Sequence, residues 1–134
     1  MSGVKIVRAL LVADAALIVQ VPATKIIAGV IKAGTQAPAI AITEVVGIDR
    51  NIPNPGVTRH VFERVQVTLI AKDYAQQKAV MKLLRKACAD KRGTIAGIAA
   101  VTVVTEGRGP DFNDEQAGFY MQSQDFRVGY QEAT

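Results

Sequence analysis

The chain contains one histidine, His60, and one cysteine, Cys88, the two side-chain types that most often serve as a general base or a nucleophile. A catalytic histidine needs a nucleophile to activate or a carboxylate to orient it. Glu63 lies three residues beyond His60, but alternation along a strand places these two side chains on opposite faces. We therefore interpret His60 as an ordinary surface residue and predict no catalytic residues.

Cys88 lies in the last turn of a predicted helix, next to apolar residues. The nearby cations Arg85, Lys91 and Arg92 could lower the pKa of its thiol, which would favour a nucleophile. Its apolar neighbours favour a partly buried structural thiol, and we adopt that interpretation. A single cysteine also excludes an internal disulfide and any multi-cysteine zinc site.

Glycine and acidic residues near the C-terminus resemble binding loops only in part. The segment 107–109 reads Gly-Arg-Gly, but no Gly-Lys-Ser/Thr follows, so neither a phosphate-binding loop nor a dinucleotide fingerprint can form. Asp111, Asn113 and Glu115 alternate as in a calcium loop, yet Gln116 stands where such a loop requires glycine. We predict a solvated loop with no metal ligands and no bound cofactor.

A basic helical face is the first feature that could bind a partner. It consists of Lys78, Lys82, Arg85 and Lys86, and it continues into Lys91 and Arg92. Two interpretations remain open: a solvated face, or a surface against DNA phosphates or an acidic partner. Aromatic residues that would stack on unpaired bases are not interleaved with these cations, which argues against recognition of sequence or of single strands.

A proline-rich excursion between two predicted strands is the second such feature. Its residues are Arg50, Asn51, Ile52, Pro53, Asn54, Pro55, Gly56 and Val57. Proline cannot donate to a sheet ladder, so this segment must leave the sheet. Long excursions from small domains commonly reach a neighbouring molecule, and we predict that this segment is a subunit-interface arm.

Composition limits the class of protein that carries these residues. The chain has 134 residues, which suits a single domain covering 1–134, and 49% hydrophobic with 21% charged residues excludes a disordered chain. The net charge of +4 is a smaller excess than that of a dedicated nucleic-acid binder. Lys5 and Arg8 precede an apolar run as in a secretion signal, but Asp14 interrupts it. We expect neither a signal peptide nor a membrane span.

The N-terminal half is predicted to contain one helix and three strands. The 17 valines and 12 isoleucines against 6 leucines favour a substantial sheet. Helical spacing predicts a first helix from Val4 to Val19, ended by Pro22. A short β-branched run follows at 24–31, then a strand at 39–49, and after the arm a strand with strict alternation, in which Val65, Val67, Leu69 and Ala71 share one face.

The C-terminal half is predicted to contain one helix and two strands. Asp73 caps the helix with Gln76 at the capping-box position, and Gly93 suits its C-terminal stop. The apolar stripe of this helix comprises Ala75, Ala79, Val80, Leu83, Leu84 and Ala87. Strands are predicted at 95–105 and 119–130, separated by a loop at 106–118. Phe126, Val128 and Tyr130 of the last strand should share one face.

The predicted order is therefore α-β-β-β-α-β-β. This order is typical of an α+β domain with an antiparallel sheet of four to five strands and two helices packed on one face. The strands on either side of the arm form a long antiparallel hairpin.

Several segments of the chain resemble the phage and prophage tail-completion proteins, a family that includes the tail terminators and head–tail joining proteins of long-tailed phages. The similarity covers nearly the whole chain and rests on patterns of fold. The matching segments are Ala-Leu-Leu-Val-Ala-Asp-Ala-Ala-Leu at 9–17, Lys-Ile-Ile at 25–27, Ala-Pro-Ala-Ile-Ala-Ile at 37–42, Arg-Val-Gln-Val-Thr-Leu-Ile-Ala-Lys-Asp-Tyr at 64–74 and Tyr-Met-Gln-Ser-Gln-Asp-Phe-Arg-Val-Gly-Tyr at 120–130.

This resemblance implies a non-enzymatic structural protein of the virion tail or neck, assembled in the host cytoplasm. Such proteins form a ring, usually hexameric, that caps the tail tube and offers the surface for head–tail joining. The implied partners are other copies of the chain, the tail-tube protein, the head–tail connector proteins and genomic DNA passing without sequence recognition, with no membrane. The alternatives are a connector adaptor or tail-tube ring protein, and a small basic nucleic-acid-binding module.

Overall fold

Two long antiparallel strands form the centre of the sheet in the computed structural model, which describes residues 2–30, 35–49, 58–109, 111–114 and 118–133. They are β3 (Thr58–Ala71) and β7 (Phe119–Ala133), and their pairing runs without interruption from Thr58–Ala133 to Ala71–Tyr120. Alternating β-branched residues favour this long extended structure. The predicted arm, Arg50 to Val57, lies outside the described residues.

Strands are added on both sides of this central pair. The strand order is β1-β2-β3-β7-β5-β4, with β6 also paired to β7. The added strands are β1 (Ile26–Ala28), β2 (Ala39–Asp49), β4 (Lys91–Ile95), β5 (Ile98–Arg108) and β6 (Phe112–Asp114). The described part of the chain thus has seven strands where four to five were predicted. The sheet is mixed because β1 runs parallel to β2, while the other pairings are antiparallel.

The predicted first helix is two helices, α1 (Ser2–Ala13) and α2 (Ala15–Gln20). Asp14 separates them because it adopts extended backbone angles, φ −85° and ψ 109°, and its carboxylate accepts a hydrogen bond from the backbone nitrogen of Leu17 at 3.1 Å. A side chain that caps a helix N-terminus competes with continuation of the preceding helix. The sequence was interpreted as one helix because the apolar spacing continues through this break.

Helix α3 (Tyr74–Cys88) begins as predicted. The Asp73 carboxylate accepts from the backbone nitrogen of Gln76 at 2.7 Å, and the Gln76 side chain accepts from the backbone nitrogen of Lys72 at 2.7 Å. These two bonds satisfy backbone donors that the first turn leaves unpaired.

The core lies between one face of the sheet and the helices. Val65, Val67 and Leu69 are buried there, as are Phe126, Val128 and Tyr130, so both predicted strand faces are confirmed. Along α3 the buried face is Gln77, Val80, Met81, Leu84, Ala87 and Cys88.

The predicted stripe of α3 is therefore wrong at Ala75 and Ala79, which are exposed. Burying the long side chain of Met81 removes more apolar surface from water than burying an alanine does, which turns this face toward the sheet. Gln77 is buried with it, and its side-chain amide donates to the carbonyl of Met121 at 2.8 Å.

The region after α3 differs most from the prediction. The predicted strand at 95–105 is a hairpin of β4 and β5, whose turn residues Ala96 and Gly97 have φ of 54° and 77°. The predicted loop at 106–118 contains the end of β5 and all of β6. Gly93 lies within β4, and Asp90, with φ 55°, takes the left-handed position after the helix. None of the helices described here is long and apolar enough to cross a membrane.

Candidate interaction surfaces

The four cations predicted on α3 share its solvent side. Lys78, Lys82 and Lys86 are exposed, and Arg85 is half-buried. Their spacing of three, four and seven residues places them together, opposite the buried face that contains Leu84. The structure therefore brings these four residues onto one surface, whose role remains a prediction.

Lys78 differs from the other three because it forms an ion pair with Asp111, which lies in the segment between β5 and β6. Its Nζ atom lies 2.7 Å from the Asp111 carboxylate and 5.0 Å from the centre of the Tyr74 ring. The Tyr74 hydroxyl donates to the same carboxylate at 3.0 Å. Asp111, considered above as part of a calcium loop, is thus an ion-pair partner that attaches this segment to α3.

These contacts shift the ionisation of both charged groups. The hydrogen bond from Lys78, followed by that from Tyr74, lowers the pKa of Asp111 below its ordinary value of 3.8. The same hydrogen bond with Asp111 raises the pKa of Lys78 above 10.5. No ion pair among the described residues holds Lys82 or Lys86, so these two exposed cations of α3 can contact a partner, as can the half-buried Arg85 in part. The exposed Lys91 of β4 extends the basic surface because it projects on the helix side of the sheet, whereas the exposed Arg92 projects from the outer face.

The sheet face away from the helices carries a second group of polar and aromatic side chains. Val46, Phe62, Arg64 and Arg127 contribute to a shallow depression of about 190 Å³ there. The Arg64 guanidinium lies 2.7 Å from the Asp125 carboxylate, and the Arg127 guanidinium lies 5.6 Å from the centre of the Phe62 ring. Glu63 and Glu106 also line the depression, so its lining contains two cations and two acids.

His60 lies on this outer face, where its ring packs edge-on against Phe62 with centroids 4.7 Å apart. Glu63 points to the opposite, helix-covered face, as predicted. Glu63 is only 3% exposed, and its carboxylate accepts hydrogen bonds from the backbone nitrogen of Gly3 at 2.8 Å and from the Tyr130 hydroxyl at 2.5 Å. The geometry gives Glu63 a structural role, holding the first turn of α1 on the sheet.

This buried carboxylate was not predicted from the sequence. The sequence does contain a signal for its burial. Glu63 lies two residues from both Val61 and Val65, so the alternation along β3 places it on their buried face. Beside it lies a recess of about 280 Å³, lined on its acidic side by Glu44, Glu63 and Glu132.

Cys88 is fully buried, and burial raises the pKa of its thiol to about 12. Lys91 acts in the opposite direction, but its effect is smaller than the cost of placing a thiolate in the core. The net pKa is therefore raised, which agrees with the interpretation of Cys88 as a structural thiol rather than a nucleophile. Within the ranges that the structure describes, no three histidine, cysteine, aspartate or glutamate side chains are grouped to hold a metal ion.

The fold is similar to that of solved structures along nearly the whole chain. One is a chain from the virion of a native gene transfer agent particle, with a TM-score of 0.68, 16% identity, and coverage of 96% of this chain and 93% of that one. A second structure, with no functional description, has a TM-score of 0.58, 14% identity, and coverage of 97% and 96%. No protein-family model and no curated protein sequence matches. At these identities the similarity defines the fold.

Proposed function

We propose that this protein is a non-enzymatic structural component of a phage-like virion, and more narrowly a tail terminator. In this role a ring of copies caps the tail tube and forms the surface that joins it to the head. The observation that carries the proposal is the end-to-end similarity to a chain of a gene transfer agent virion, which covers 96% of this chain. The proposed location is the tail or neck of the particle.

The basic surface of α3 supports a role beside nucleic acid. A ring at the end of a tail tube must let DNA pass, and exposed lysines attract phosphates without reading bases. Lys82 and Lys86 are suited to line such a passage because both are exposed. The tail-tube protein and the head–tail connector proteins are the other proposed partners.

The experiment that tests this proposal is electron microscopy of particles made without the gene, compared with particles from a complemented strain. A terminator predicts overlong, irregular tails without heads. Tails of normal length beside full, unattached heads would assign the protein to a connector adaptor. Normal, functional particles would overturn the structural assignment.

Two alternatives make different predictions for the purified protein. A tail-tube ring protein polymerises, so a protein that forms only monomers or single rings would oppose that assignment. The exposed Lys82, Lys86, Lys91 and Arg92 favour a basic nucleic-acid-binding module as the other alternative. Such a module predicts duplex-DNA affinity that falls by about one power of salt concentration for each phosphate neutralised, and negligible affinity at low salt would oppose it.

A further inference from the structure

The two edges of the sheet are stepped. At one edge, β1 pairs only with Ile40–Ile42, so no described strand lies beside the rest of β2, from Thr43 to Asp49. At the other edge, the β4 ladder covers β5 only from Ile98 to Val103, so in the described structure β5 continues uncovered to Arg108. Among the described residues, each edge of the sheet thus has one projecting strand and one gap beside it where the neighbouring strand is uncovered.

The pairing register shows that the edge strand on each side of the sheet is level with the uncovered stretch on the other side. Residues that pair from strand to strand form a row across the sheet. One such row, from β2 to β4, is Gly47–Glu63–Val128–Val103–Lys91, so β4 is level with the uncovered part of β2. A second row runs Ala28–Ile42–Val67–Gln124–Arg108, which places β1 level with the uncovered end of β5. Two copies side by side at the same height would therefore interlock.

We propose that β4 of one copy adds to the uncovered part of β2 in a second copy of this chain. Four successive antiparallel pairings separate β2 from β4, so the two strands run in the same direction and the new pairing is parallel. The contact joins two different surfaces, and such contacts generate a ring when their rotation closes. The inference rests on the proposed function, in which copies of the chain form a ring.

The side chains at the two edges complement each other. The uncovered part of β2 carries Val45 and Val46, which are 51% and 48% exposed, together with the exposed acid Glu44. The β4 edge carries the exposed cations Lys91 and Arg92. Lys91 shares its row with Glu63, and Glu44 pairs with Val65, so Lys91 and Glu44 both project on the helix side of the sheet.

The same charges oppose the symmetric alternative. Pairing β4 with β4 of a second copy would place Lys91 and Arg92 close to the same two residues of the partner, and like charges across adjacent strands are destabilising. An open strand edge is a template for another strand, and exposed valines strengthen that tendency. The edge chemistry therefore favours β4 against β2.

The test is chemical cross-linking of the double variant Val46→Cys/Arg92→Cys with a short bis-maleimide. Both positions project from the outer face, because Val46 pairs with Arg64, and Arg92 pairs with Thr102 in the row of Phe62. The expected result is a ladder at successive multiples of the monomer mass, with loss of most of the monomer band. Native Cys88 does not interfere because it is fully buried.

Three controls define the result. Each single-cysteine variant should give no ladder, because neither position meets its own copy. The variant Lys72→Cys/Arg92→Cys should also stay monomeric, because Lys72 follows Ala71 at the far end of β3. Adding Lys91→Glu to the cross-linking pair should reduce the ladder, and a further Glu44→Lys should restore it.

The ladder is sought both in the purified protein and in particles assembled with the double variant. A ladder in either sample supports the inference, and its absence from both overturns it. Absence of the ladder together with overlong, headless tails in the gene deletion would reject this interface while leaving the proposed function intact. A ladder together with normal particles from the deletion would reject the function while leaving the interface intact.

Discussion

Gly3 and Glu63 are 60 residues apart in sequence, yet the backbone nitrogen of Gly3 donates to the Glu63 carboxylate at 2.8 Å. The first turn of a helix leaves its backbone N–H groups unpaired, and a carboxylate placed there is also favoured by the helix dipole. The same carboxylate accepts from Tyr130 of β7. One buried acid thus links α1 to two central strands of the sheet.

We predict that Gly3→Ala destabilises the protein by about 1–3 kcal/mol. A Cβ atom at Gly3 would lie 2.2 Å from the Glu63 carboxylate oxygen and 3.0 Å from Cγ2 of Val65. The buried carboxylate can move away only by losing its hydrogen bonds, which costs free energy because it cannot be rehydrated. Urea denaturation followed by circular dichroism measures the loss.

The matched control for this prediction is Gly107→Ala. A Cβ atom there would have no atom within 4 Å, so we expect a change smaller than about 0.5 kcal/mol. Equal stability of Gly3→Ala and Gly107→Ala would contradict the account of Glu63.

A second prediction concerns the pH dependence of the contact between Asp111 and Lys78. The pKa of Asp111 is lowered, so its stabilising contribution is present above the unfolded pKa and is lost as the pH falls through the folded pKa. The pKa of Lys78 is raised, so its contribution is present below 10.5 and is lost as the pH rises through the folded pKa. The contact therefore persists between these two limits.

Carboxyl NMR titration checks this assignment. Lys78→Met should raise the pKa of Asp111 toward 3.8, and Tyr74→Phe should raise it less, because the hydrogen bond from Lys78 is the larger cause. An unchanged pKa in Lys78→Met would show that the ion pair does not hold this segment in solution.

A third prediction is that Ala96→Asn stabilises the protein by about 0.5–1 kcal/mol, part of the cost of holding alanine in the left-handed region. Ala96 occupies the left-handed region with φ 54°, which costs alanine free energy, and Gly97 follows with φ 77°. Asn-Gly is the preferred pair for a two-residue turn with both residues in that region. The matched control is Ala99→Asn in the same hairpin, which should give no rise in melting temperature, and equal rises in both variants would contradict the argument.

The fourth prediction concerns the two exposed lysines of α3 that no ion pair holds in the described structure. Lys82→Glu/Lys86→Glu should reduce DNA delivery by assembled particles at least tenfold while leaving the free protein folded, because acids in a DNA passage repel phosphates. Delivery is measured as transferred marker per particle counted by microscopy. Lys5→Glu/Lys72→Glu makes the same change of net charge at exposed positions elsewhere, and an equal loss in that control would point to net charge alone.

The spacing of apolar residues correctly predicted the elements that bury one face. The bounds of β2, the alternating face of β3 and the capped start of α3 all follow from the sequence, because one face of each is apolar and the capping residues are local. The hairpin turn was missed because Ala96-Gly97 is not a preferred turn pair. β6 was missed because Asn113 and Asp114 are residue types typical of loops and because its pairing with β7 is a tertiary contact.

The basic surface was predicted for the same local reason, since helical spacing alone places Lys82 and Lys86 together. The ion pair between Lys78 and Asp111 was not predicted, because these residues are 33 positions apart and only the fold brings them together. The burial of Gln77 likewise depends on a carbonyl of β7, 44 positions away. The arm at 50–57 lies outside the described residues and stays a prediction.

The central pairing of β3 with β7 has a consequence for how the chain folds. Thr58 pairs with Ala133 and Ala71 pairs with Tyr120, so every residue pair between these strands joins parts of the chain that are far apart in sequence. Contacts of such large sequence separation slow folding, because chain entropy is lost before the ladder is gained. Until β7 arrives, β3 has only β2 beside it, and a two-stranded hairpin is marginally stable alone. The open flank of that hairpin is then exposed to other copies, so the rate at which β7 docks sets how long the chain is prone to misassembly.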